Sequence, residues 1–158
     1  MSKTLTTGAR RRDVWRFPGA VPTILGHPDL DKVVEGLFQL GARWALCPNF
    51  FGVVVAMKRS GGLEYKGMSD APGFAVLEVM VKWARRDIQR GKARAFGTCL
   101  NISLGEEYQD DEIPVFNVRV EHADGQIAVV SRNYRIEPGG TLLMAERRVR
   151  FRETRPAH

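Results

Sequence analysis

The sequence predicts an α+β fold in which a long buried helix is wrapped by a curled antiparallel sheet. Three observations predict it. From Phe74 to Ala84 only Glu78 and Lys82 are charged, so that helix is apolar on nearly every side. A surface helix carries a single apolar stripe, and an all-round apolar one calls for burial by its neighbours. Strand-like segments then follow one another, separated by turn residues. A sheet with one dry face needs a cover, and the apolar helix is the available one.

The elements follow in order. Residues 1–19 read as a loose basic leader, because Pro18, Gly19 and Pro22 oppose a regular element there. A helix is expected from Gly26 to Leu40, with room to run on towards Trp44. Pro28 fits its first turn, Asp29 and Asp31 suit its positive end, and Leu30, Val33, Val34, Leu37 and Leu40 share a face. Phe50 to Met57 is β-branched and aromatic, as a buried strand is, and Lys58 to Gly62 closes it with a turn.

The central helix runs from about Pro72 to Arg90, charged in its second half and stopped by Gly91. Ala95 to Leu104 is the first strand after it. Val115 to Glu121 alternates, with Phe116, Val118 and Val120 on one face and Asn117, Arg119 and Glu121 on the other. Asp124-Gly125 signals a hairpin into Ile127 to Ile136. After Pro138-Gly139-Gly140, one strand is expected over Thr141 to Phe151, with Val149 and Phe151 facing one way and Arg148, Arg150 and Arg152 the other. Glu64 and Asp70 read as loop carboxylates, residues 20–152 as one domain, and residues 153–158 as a frayed tail. A long helix inside a curled antiparallel sheet is the hotdog arrangement.

The chain has 158 residues, enough for one core and too few for two ordinary domains. With 44% apolar and 27% charged residues it falls among globular proteins. No apolar run reaches a membrane span, no apolar stretch follows Arg10–Arg12 to make a secretory signal, and Cys47 and Cys99 lack metal-ligand or disulfide spacing. A cytoplasmic setting is expected, and no metal or redox cofactor is implied. The net charge is +6. Its arginines are not interleaved with aromatic residues as a single-strand platform requires, so nucleic acid is disfavoured as a partner.

The run Pro72-Gly-Phe-Ala-Val-Leu-Glu-Val-Met80 resembles the start of the central helix in 3-hydroxyacyl-carrier-protein dehydratases. There a Pro-Gly pair precedes a short apolar run, and an acidic residue follows five positions after the glycine, as Glu78 follows Gly73. The resemblance covers residues 64–84 in detail and the later strands only in pattern. It implies the hotdog fold of the dehydratase-like and acyl thioesterase superfamily and an acyl-thioester substrate. The Gly73 N–H would hold the thioester carbonyl, Glu78 would be the acid/base, Tyr65 and Gly67 would border the pocket, and Val76 and Met80 would line it. A helix N-terminus suits a developing oxyanion, and burial would raise the pKa of Glu78 towards proton transfer.

The pattern breaks nine residues before Gly73, where the family's histidine is replaced by Glu64. His27, beside a helix start, and His122, beside a hairpin turn, read as structural or solvated, and His158 lies in the tail. Four readings stand together. They are a dehydratase-like enzyme without the usual histidine, a hotdog acyl thioesterase, a non-catalytic partner subunit of a dehydratase, and a small basic interaction or nucleic-acid-associated module. Against them all stands the plain reading of Glu78 as a buried glutamate paired with an arginine or with Lys82, its i+4 neighbour. The implied partner is an acyl carrier protein or a coenzyme A thioester. Its landing surface would be Arg85, Arg86 and Arg90, or Arg148 and Arg150, in a homodimer or a heterodimer with a related chain.

Overall fold

The computed structural model describes residues 14–15, 21–47, 50–70, 74–103 and 114–156. Its elements run β1 (Val14–Trp15), α1 (Pro28–Trp44), β2 (Phe50–Lys58), β3 (Leu63–Asp70), α2 (Phe74–Gln89), β4 (Ala93–Ser103), β5 (Pro114–His122), β6 (Gln126–Ile136), β7 (Leu142–Met144) and β8 (Arg148–Thr154). The strands form one antiparallel sheet in the order β1-β3-β2-β4-β5-β6, and both β7 and β8 pair with β6.

The helix α1 starts where its sequence says it should. Pro28 occupies the first turn, and the His27 ring accepts the Leu30 N–H at 3.4 Å as an N-cap. The buried Asp31 carboxylate accepts the N–H groups of Ile24 and Leu25, at 3.1 and 2.7 Å, which fixes the chain entering the helix. Leu30, Val33, Val34, Leu37, Phe38 and Leu40 are all buried, forming the apolar stripe that a helix on a sheet needs.

Alternation along the strands assigns the two helices to opposite faces of the sheet, because successive side chains in a strand point oppositely. Val53, Val55, Met57, Ala95 and Cys99 belong to the core built on α1. Their neighbours Val54, Ala56 and Phe96 pack instead with α2 residues Leu77, Met80, Ala84 and Ile88. The β5 alternation read from the sequence falls the same way. Phe116, Val118 and Val120 join the α1 core, while Arg119 and Glu121 lie on the α2 side.

The hotdog expectation is overturned. Among the described residues there is no long helix wrapped by the sheet. The helix expected at the centre, α2, lies on one face of β2, β3 and β4 and buries only Leu77, Met80, Ala84 and Ile88. Its other side stays open: Val76 is 52% exposed, Val79 45% and Trp83 55%. Apolar content measures how much surface a helix could bury, not how much its own chain supplies a cover for. Here α1 is the more deeply buried helix, at 17 residues, on the opposite face.

Three further segments differ from their sequence readings. Residues 63–70, read as a loop, form β3, which pairs along β2 with a register shift between Val54 and Val55. The expected strand over Thr141 to Phe151 is two strands, β7 against Tyr134–Ile136 and β8 against Gln126–Ser131. A register shift opposite Val129 and Val130 breaks the two-residue period of β8, so Val149 and Phe151 do not share a face by simple alternation. Pairing continues through Glu153 and Thr154, and Arg155 N–H donates to the Gly125 carbonyl at 2.8 Å. The hairpin at Asp124-Gly125 forms as expected. Gly125 has φ +94°, and an added Cβ would meet the Arg155 carbonyl oxygen at 1.9 Å, so only glycine fits.

Candidate cleft between the second helix and the sheet

A cleft of about 400 Å³ lies between α2 and the β4–β5 face, within the size range of small-ligand sites. Its construction follows from the two periodicities. Leu77 and Val81 come from α2 at helical spacing, and Phe96, Thr98 and Leu100 come from β4 at alternate positions. These apolar side chains make the floor. Arg119 and Glu121, two apart on β5, stand beside Thr98 and Phe96 by register. Glu78, Lys82 and Arg85 complete the rim from α2.

Glu121 is the buried charge of this site, with its side chain only 3% exposed. Arg85 donates to it through Nη2 at 2.7 Å and Nε at 3.4 Å, and Arg119 donates through Nη2 at 3.2 Å. Burial opposes its charged form, but the hydrogen bonds and charges of Arg85 and Arg119 outweigh that and hold its carboxyl below the usual range. Arg85 also lies 5.8 Å from the centroid of the Phe96 ring, so one side chain anchors the carboxylate and covers the floor. Three cationic side chains, Lys82, Arg85 and Arg119, face two carboxylates, Glu78 and Glu121, which leaves one positive charge in excess at the rim.

The residues singled out from the sequence divide among several places. Glu78 and Arg85 line the cleft together. Glu78 is exposed, not enclosed by Val, Leu and Met as expected. Gly73 lies outside the described residues. Gly67 and Met80 meet each other where β3 passes under α2, and a Cβ on Gly67 would come within 2.4 Å of the Met80 sulfur. That contact is structural and does not border the cleft. Val76 is on the open side of α2, and Tyr65 packs against the α1 core on the other face. Arg86 and Arg90 are exposed near the end of α2. Arg148 and Arg150 are on β8, with Arg150 Nε donating to Ser131 Oγ at 2.9 Å. Two strands, β5 and β6, separate β8 from β4 in the sheet.

Glu64, standing where the dehydratases have histidine, is occupied by Lys66 at 3.0 Å. Lys66 also reaches Asp87 on α2 at 3.1 Å, so the trio ties β3 to the helix. Burial lowers the Lys66 pKa, but the bonds to Glu64 and Asp87 overcome it and raise the pKa above its ordinary value. Among the described residues no histidine lines the cleft.

Sequence reasoning missed the roles of Arg119, Glu121 and Thr98. The alternation of β5 had separated Arg119 and Glu121 from the apolar face, and a carboxylate facing inward opposite an arginine-rich helix end was the available signal. Comparison of the chain with family models, with curated proteins and with solved structures finds no match.

Proposed function

We propose that the protein binds acyl thioesters, with the acyl chain on the apolar floor of the cleft and the anionic end of the ligand at its arginine rim. The observation that carries this reading is the combination of that floor with Arg85 and Arg119 sharing one carboxylate, which leaves cationic capacity beside an apolar surface. Glu78, exposed at the rim, is the candidate general base for water. Dehydration calls for a second acid/base partner, and Glu64 is held by Lys66, so hydrolysis of the thioester is the reaction these residues favour.

The test is mass spectrometry of the purified protein incubated with 3-hydroxyacyl, enoyl and saturated acyl thioesters of several chain lengths. Release of free acid, lost in Glu78→Gln, is the expected result. Gain or loss of water instead would make the reaction a hydration or dehydration. Silence across the panel together with no thioester binding would overturn the proposal.

The open side of α2 favours a partner for this protein, and we take that partner to be a second copy. A two-fold antiparallel pairing centred on Val79 would set Trp83 over the partner's Ala75, apolar on apolar. Light scattering after size exclusion tests it. A dimer that becomes a monomer in Trp83→Lys is expected, and a monomeric wild type at tens of micromolar contradicts it. Among the described residues no helix is long and apolar enough to cross a membrane.

A further inference from the structure

Away from the cleft, the start of α1 and the β5–β6 hairpin bring together side chains that lie 95 residues apart in sequence. His27 Nε2 is 2.9 Å from Asp124 Oδ2, and His122 Nδ1 is 3.2 Å from Asp124 Oδ1. One donor atom from each of His27, His122 and Asp124 falls within 4.8 Å of the others. The two imidazole rings are 4.4 Å apart and mostly buried. We propose that these three residues form a binding site for a divalent transition ion of the zinc class.

The geometry fits such an ion. Metal–ligand bonds of about 2.0–2.1 Å in a tetrahedral arrangement put neighbouring ligand atoms about 3.3 Å apart. The two distances onto Asp124, 2.9 and 3.2 Å to its two carboxylate oxygens, both fall short of that separation by a few tenths of an ångström or less, so an entering ion would open the cluster slightly. His122 is held from behind, because its Nε2 lies 2.8 Å from Asp29 Oδ2. A carboxylate on the far nitrogen fixes the tautomer that leaves Nδ1 as an electron-pair donor, which is the usual support for a metal-bound histidine. Two imidazoles and one carboxylate leave a fourth position for water, so the site is open and not a closed structural one.

The charge also fits. Asp29 and Asp124 carry two negative charges, and Arg94, 3.4 Å from Asp29, compensates one of them. The cluster therefore retains one negative charge when both imidazoles are neutral. Two backbone donors compete with the ion, since Asp124 N–H points at His122 Nδ1 at 3.0 Å and Leu30 N–H points at His27 Nδ1 at 3.4 Å. Both bonds must yield: the first frees His122 Nδ1 for the ion, and the second is lost because His27 binds through Nε2 only with its proton on Nδ1, where it faces the Leu30 N–H. The expected affinity is accordingly that of an open three-ligand site.

The experiment is titration of the full chain with cobalt(II) and with zinc(II), read by the visible absorption of tetrahedral cobalt, by calorimetry and by Tm. One saturable equivalent with an intense cobalt band, displaced by zinc, and a Tm that rises with zinc are expected. Asp124→Asn and His122→Gln should abolish the band, and Asp29→Asn should weaken binding by about 10–100-fold. His27→Asn keeps an N-cap acceptor while removing the imidazole, so it should lose the ion without losing the helix. Absence of saturable binding in the wild type at millimolar zinc would overturn the proposal. So would binding that persists in His27→Asn and His122→Gln, which would mean an adventitious ion only.

Discussion

Arg85 on α2 reaches Glu121 on β5 at 2.7 Å, and the pair joins the two walls of the cleft. Helix and strand are otherwise connected through β4, which lies between them in contact with both. The pair therefore fixes how far α2 leans over the sheet and how wide the cleft is.

Arg85→Ala removes one of two cations from a buried carboxylate. Because Arg119 remains at 3.2 Å, the expected loss is that of a charged hydrogen bond, about 1–3 kcal/mol by urea denaturation. The effect should depend on pH. The folded pKa of Glu121 is lowered, so its contribution is fully present above the unfolded value of about 4.3 and is lost as pH falls through the folded value. The Tm difference between wild type and Glu121→Gln should be widest near neutral pH and shrink below about pH 4. A difference that stays constant into acid would contradict the pairing.

Gly97 on β4 lies in close contact with α1 above and β5 beside it. An added Cβ would lie 2.6 Å from Leu37 Cδ1, 2.8 Å from Val120 Cγ1 and 2.9 Å from the Arg119 carbonyl oxygen. Gly97→Ala should cost about 1–3 kcal/mol through overpacking, measured by the same denaturation.

The exchange of roles between the two helices is directly measurable. Leu37→Ala on α1 should cost about 2–5 kcal/mol, as a fully buried leucine does. Val76→Ala on α2, at 52% exposure, should stay within about 0.5 kcal/mol of wild type under conditions where the protein is monomeric. Similar losses at both positions would restore α2 to the centre of the fold.

Burial pushes the Cys99 thiol up, well beyond the range in which thiolate forms. Cys99 sits under α1 with its sulfur 3.2 Å from where a Gly41 Cβ would be. In the native protein a thiol reagent should modify the half-buried Cys47 and spare Cys99, which becomes reactive only in denaturant. Mass mapping of the labelled peptides reads this out.

Much of this arrangement was visible in local pattern. The alternation of Phe116, Val118 and Val120 gave β5 and its inward face. Asp124-Gly125 gave the hairpin, and Pro28 with the acids after it gave the start of α1. What stayed hidden depends on contacts between distant residues. Strand β3 looks like a loop because Glu64 and Lys66 are charged. Their charges are matched to each other and to Asp87, a pairing no local pattern encodes. The open side of α2 was invisible for a related reason, since Val76, Val79 and Trp83 look the same whether their own chain covers them or another does. In the cleft, Glu78 and Arg85 were legible, but Glu121, 36 residues beyond Arg85, was not. The meeting of His27 with His122 likewise needed the fold.

The most direct test of the acyl-thioester reading is calorimetric titration of medium-chain acyl-coenzyme A into the wild type and into Thr98→Phe. Thr98 lines the cleft beside Arg119, and a phenyl ring there would occupy the floor without removing any rim charge. Circular dichroism would verify that the variant is folded. The account predicts saturable binding by the wild type and its loss in the folded Thr98→Phe protein. Equal binding by both proteins, or none by the wild type, would contradict it.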